Sequence, residues 1–222
     1  MTENPAPKVA LVTGASRGLG GALAQQLALR GWRVIAVART VGGLEDLDDR
    51  VKGAASPGTG GVTLAPMDVT NDDAMRHLCR SIHHRWGGLE LWVHAAIHAA
   101  PLSPAGSLDQ KDWEKSIAAN VRATGMLIPM VEPLLRAHEG TAVFLDDPRA
   151  GKPFFGAYGA TKAAQIALAR SWQAETARHG PRVVIATPAG MPTATRARFF
   201  PGEDRTALAD PQVEAARIVD ML

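Results

Sequence analysis

The chain has 222 residues, a length suited to one α/β domain, with 46% hydrophobic and 21% charged residues. Its formal net charge of +2, with no run of Lys or Arg, gives no basis for nucleic-acid binding. Cys79 is the only cysteine, which excludes an intrachain disulfide and a thiolate metal site.

The N-terminal MTENPAPKVALVTG lacks the apolar stretch of a secretory signal, and later apolar runs are too short and interrupted to cross a bilayer. A cytoplasmic protein with no membrane association is expected. Strands are predicted over Val9–Thr13, Arg33–Ala38, Val62–Met67, Leu89–Ala95, Ala142–Asp146 and Arg182–Thr187, nearly continuously apolar as in parallel strands covered on both faces. Helices are predicted between them over Gly18–Arg30, Gly43–Lys52, Asp72–Trp86, Asp109–Ala137 and Gly156–His179, with a last one over Pro211–Leu222. Gly31 stops the first helix and Asn71 or Asp72 caps the third, while Gly53–Gly61 reads as a loop. Strand and helix alternate throughout, so a single doubly wound α/β domain with six parallel strands is expected. Residues 188–211, rich in Pro, Thr and Arg, read as a mobile segment covering a site.

The strand KVALVT runs directly into GASRGLGG and a helix. Glycines at 14, 18 and 20 allow a tight turn, so that a pyrophosphate can approach backbone N–H groups at a helix N-terminus. Where NAD-preferring Rossmann proteins place an acid at the end of the second strand, this chain has Ala38 followed by Arg39. Arg17 can reach the same volume. Two guanidiniums without a carboxylate fit the 2′-phosphate of NADP, since forked donors match phosphate oxygens. Tyr158 is the only tyrosine, and Lys162 lies four residues on along a predicted helix. An ammonium on the same helix face lowers a phenol's pKa and makes Tyr158 a usable general acid/base.

The spacing within Thr13–Gly20, together with Asp68, Asn120 and Tyr158-Gly-Ala-Thr-Lys162, resembles the short-chain dehydrogenase/reductase family over nearly the whole chain. The resemblance implies a Rossmann-type sheet and hydride transfer between NAD(P) and a carbonyl or alcohol. It assigns Gly14, Ser16, Arg17, Gly18, Leu19, Gly20, Arg39, Val69, Ala95, Ala96 and Pro188 to the cofactor, and Thr193 to the nicotinamide amide. Asp68 would contact the adenine edge, or else cap the following helix. Lys162 would hydrogen-bond the nicotinamide ribose. Asn120 would hold a water that links Lys162 to solvent, or else be an interior polar residue.

Three departures accompany the resemblance. The family's catalytic serine after the fifth strand is missing; Asp147 falls near its place, preceded by Asp146. A carboxylate accepts hydrogen bonds only, unless a neighbouring acid keeps it protonated. The two acids are read as a solvated strand end. The family's Asn-Asn-Ala-Gly appears as His94-Ala95-Ala96-Ile97, with Ile97 expected to crowd the cofactor. A metal pair of His94 and His98 is set aside for want of a third ligand, so no metal is expected. The family's seventh strand has no counterpart, and a homodimer through the two long helices is expected. Phe154, Phe155, Phe199 and Phe200 hint at a hydrophobic pocket for a small-molecule substrate. The reading is therefore an NADP(H)-dependent oxidoreductase with Tyr158, Lys162, Asn120 and Asp147 in its catalytic group. Its rival is a cofactor-binding protein with little turnover, favoured by the missing serine.

Overall fold

A computed structural model describes residues 7–222. Six parallel strands form one sheet in the order β3-β2-β1-β4-β5-β6: β1 Val9–Thr13, β2 Arg33–Ala38, β3 Val62–Pro66, β4 Leu91–His94, β5 Thr141–Leu145 and β6 Arg182–Ala186. Each agrees with the sequence reading to within two residues at either end. Alternate residues of a strand face opposite sides of a sheet. Ala10 and Val12 therefore join one core, with Leu23, Leu27, Leu44 and Ile218. Val9 and Leu11 join the other, with Met75, Trp92, Val131, Phe144 and Trp172. Both faces are covered, which is why the strands read as unbroken apolar runs.

The first core is covered by α1 (Gly18–Leu29), α2 (Val41–Gly53) and the C-terminal α8 (Pro211–Val219), the second by α3 (Asp72–Trp86), α5 (Ala123–Arg136) and α6 (Gly156–Thr176). Asn71 caps α3 by accepting from the Ala74 N–H at 3.1 Å, and Asp210 caps α8. The expected single helix from 109 to 137 is three pieces: α4 (Gln110–Ser116), a π-helical stretch Ile117–Arg122, and α5. The backbone stays helical from Gln110 to Arg136, and no Gly or Pro between 110 and 122 marks the wider turn.

The segment 188–211 is not structureless. It holds α7 (Ala194–Phe199), capped by Thr193, whose Oγ1 accepts from the Arg196 N–H at 3.2 Å. Among the described residues no helix is long and apolar enough to cross a membrane.

The chain winds outward from β1 through β2 to β3, then crosses back to β4 beside β1. That reversal opens a crevice beyond the carboxyl ends of β1 and β4, where Thr13 and His94 are register partners.

Candidate active site

A cavity of about 590 Å³ occupies the crevice. Of the sequence-predicted site residues, Gly14, Ser16, Arg17, Leu19, Gly20, Arg39, Asp68, Val69, Ala95, Ala96, Asp147, Tyr158, Lys162, Pro188 and Thr193 line it. Gly18 and Asn120 stand behind the wall. A Cβ at Gly18 would meet the Thr193 side chain at 3.5 Å, and Asn120 is wholly buried.

The glycine turn fits a dinucleotide's pyrophosphate. Gly14 has φ +78°, and a Cβ there would lie 2.6 Å from the Ala96 nitrogen; a Cβ at Gly20 would strike the Gly14 carbonyl oxygen. The backbone of β1 thus passes against that of β4 with no room for side chains. Arg17 stands at the N-cap of α1 without capping it, and no acid occupies the helix's first turn. The first N–H groups of α1 are left to an anion. Gly14→Ala is expected to cost about 3 kcal/mol of stability through strain and overpacking, read as a lowered urea midpoint.

At the carboxyl end of β2 Ala38 is buried, and Arg17 and Arg39 are exposed. The expectation that no carboxylate shares this corner is corrected: Asp68 Oδ2 lies 3.8 Å from Arg39 Nη1. Asp68 is not the cap of α3. Its Oδ1 accepts from the Thr70 N–H and hydroxyl, both at 2.9 Å, which holds the loop after β3. At the opposite end, buried Glu214 of α8 accepts from the Ala189 N–H at 3.1 Å and so fixes the loop after β6.

Tyr158 and Lys162 both sit in the inward stripe of α6, each 3% exposed. The reading of Asp146 and Asp147 as a solvated strand end is corrected. Tyr158 donates its hydroxyl to Asp147 Oδ2 at 3.1 Å, while Asp147 Oδ1 accepts from Arg149 Nε at 2.9 Å. Asp146 faces a different cation, Arg170, at 3.9 Å. Each carboxylate thus faces its own guanidinium.

The expected lowering of the Tyr158 pKa is reversed. Burial, then the charge of Asp147 and the hydrogen bond to it, hold the phenol well above its ordinary value. Lys162 Nζ donates instead to Gln165 Oε1 at 2.5 Å, and burial pushes its pKa down to about 8 against the pull of Asp146 and Asp147.

Asn120 lies in the π-helical stretch and spends its side chain on structure. Its Oδ1 accepts from the His98 N–H at 2.7 Å, and its Nδ2 donates to the His98 carbonyl and to Thr161 Oγ1, both at 2.9 Å. His94 and His98 do not converge: His94 is buried between Thr13 and Thr124, and His98 faces Asp112 at 3.3 Å. Ile97 packs with Phe155, Tyr158, Phe199 and Phe200. The Phe199 ring lies 4.8 Å from that of Tyr158, and the Arg149 guanidinium lies over Phe155 and Phe200. Phe154, by contrast, is exposed.

Sequence reasoning missed Arg149, Arg196 and Gln165. Arg149 and Arg196 line the cavity; no periodic pattern marks either, because Arg149 lies in a loop and Arg196 in the six-residue α7. Gln165 is visible only as the residue one turn after Lys162.

The family model for short chain dehydrogenases matches residues 8–204. An uncharacterized oxidoreductase of Mycobacterium tuberculosis is 29% identical over 203 residues, covering 86% of this chain and 59% of the relative. The chain thus spans under two thirds of that relative's length. An uncharacterized oxidoreductase of Listeria innocua is 31% identical over 184 residues, covering 81% of this chain and 72% of the relative. A Shigella flexneri structure complexed with NADP is 26% identical, covers 92% of this chain and 86% of that one, and superposes with a TM-score of 0.82.

Proposed function

Because the chain belongs to the short-chain dehydrogenase family, we propose that it is an NADP(H)-dependent oxidoreductase acting on a small carbonyl compound or the corresponding alcohol. The observation that carries this reading is one continuous cavity. It runs from Arg17 and Arg39, past the glycine turn, to Tyr158 and Lys162. The NADP bound in the Shigella relative supports the choice of cofactor.

When bound, the nicotinamide supplies or accepts the hydride. Arg17 and Arg39 hold the 2′-phosphate, and the N–H groups opening α1 hold the pyrophosphate. Lys162 orients the nicotinamide ribose, and the Thr193 hydroxyl keeps a proton for the nicotinamide amide. Tyr158 gives its proton to the carbonyl oxygen during reduction. Phe155 and Phe199, packed around its ring, exclude water from that transfer.

The raised pKa of Tyr158 keeps it as the phenol, the form that gives a proton during reduction. The protein is read as cytoplasmic. It is also read as a homodimer through the two long helical stretches that carry Asn120 and Tyr158, the second with the exposed Leu168.

Two measurements test the reading. Loss of NADPH absorbance against a panel of ketones, aldehydes and quinones is expected to show turnover with at least one. Tight NADPH binding with no turnover on any would leave only the cofactor-binding role. The double variant Arg17→Ala/Arg39→Ala is expected to bind NADPH about 20-fold more weakly with NADH affinity unchanged, read as the two dissociation constants.

A further inference from the structure

Behind Lys162 lies a polar cluster that hydride transfer itself does not require. Gln165 Nε2 donates to Thr124 Oγ1 at 3.0 Å, and Thr124 donates its single proton to the Asn120 carbonyl at 2.9 Å. Thr124 Oγ1 has only lone pairs left for its other neighbour, His94 Nε2, at 3.0 Å. His94 must therefore donate from Nε2. Burial, with the nearby Lys162 charge, pushes its pKa down to about 3, so the ring is neutral and Nδ1 is bare. Nδ1 then accepts from the Thr13 hydroxyl at 2.8 Å. Thr13, His94, Asn120, Thr124 and Gln165 are all at most 1% exposed.

This proton assignment leaves one orientation for the Gln165 amide, with its oxygen toward Lys162. An ammonium only donates, so Oε1 is the atom that can receive it, and the chain of donors from Thr13 and His94 holds the amide that way round. The Asn120 backbone carbonyl accepts from Thr124, while the Asn120 side chain is held by His98 and Thr161.

We propose that Gln165 is the positioning residue for Lys162, fixing the ammonium from behind so that its two remaining N–H groups face the ribose diol of the nicotinamide half. This rests on the NADP(H) reading above. An ammonium has three donors; one is anchored in the protein and two remain on the cavity that Lys162 lines. Gln165 lies one turn from Lys162 and two from Tyr158, on the same inward stripe of α6.

The test separates the two halves of the cofactor. Dissociation constants of the full chain are measured for NADPH and for adenosine 2′,5′-bisphosphate, which carries the 2′-phosphate end and no nicotinamide half. Gln165→Met removes the acceptor at nearly constant volume. Gln165→Asn keeps the amide but withdraws its oxygen by one methylene. Each is expected to weaken NADPH about tenfold, the size of one charge-assisted hydrogen bond, and to leave the bisphosphate within about twofold. Equal weakening of both ligands would show a merely structural role and overturn the proposal, as would unchanged or tighter NADPH binding. Failure of the wild-type protein to bind NADPH would instead overturn the cofactor reading, so the two failures are distinguishable.

Discussion

Replacing Tyr158 by Phe is expected to lower carbonyl reduction by about 1000-fold while NADPH affinity stays within about twofold, as measured by steady-state rates and equilibrium titration. The phenol is the only side chain at the centre of the aromatic cluster that can give a proton. It is 3% exposed, with Phe155 and Phe199 against its ring, so bulk water has little access to replace it as the acid. The substitution removes one oxygen and keeps the ring that those two residues pack against. A loss of less than tenfold would mean that the proton comes from elsewhere, and the role assigned to Tyr158 would be wrong.

Asp147→Ser is expected to raise the reduction rate by about 100-fold, the effect of placing a hydrogen-bond donor where charge develops on the substrate oxygen. In the wild-type chain the Tyr158 proton points at Asp147 Oδ2, and the carboxylate cannot donate to a carbonyl. A serine hydroxyl can, and its introduction releases Tyr158. The change also alters pH dependence. Asp147 helps hold the Tyr158 pKa above its ordinary value, so alcohol oxidation, which needs the phenolate, is expected to climb with pH through the alkaline range. In the serine variant that climb moves to lower pH, because a negative neighbour that opposed ionisation has gone. Reduction uses the phenol and is expected to vary little across neutral pH in either protein. A drop in activity on Asp147→Ser would show that the carboxylate, with Arg149 beside it, has acquired a task of its own.

The parts of the fold legible in the sequence are those where one local pattern carries the constraint. The turn between β1 and α1 was readable because its glycines follow an apolar strand and open a helix, and the Gly14 contact with Ala96 shows why a side chain is excluded there. The six strands were readable because both faces are buried. What the sequence hid depends on distant partners. Asp147 looks like a polar strand end until α6 brings Tyr158 against it, and Asp68 gives no sign that it faces Arg39. The stripe Tyr158, Thr161, Lys162, Gln165 repeats at helical spacing, but its members are polar, so a search for apolar periodicity passes over it. Its signal was the spacing itself. α7 escaped because six residues make too short a helix for any periodic pattern to stand out.

On the proposed reading, the corner formed by Arg17 and Arg39 selects the phosphorylated cofactor. Equilibrium titration of the wild-type chain with NADPH and with NADH under identical salt tests it most directly. Two guanidiniums facing a 2′-phosphate predict NADPH binding at least about 20-fold tighter than NADH, with the gap narrowing as salt rises. Equal affinities, or a preference for NADH, would contradict the account.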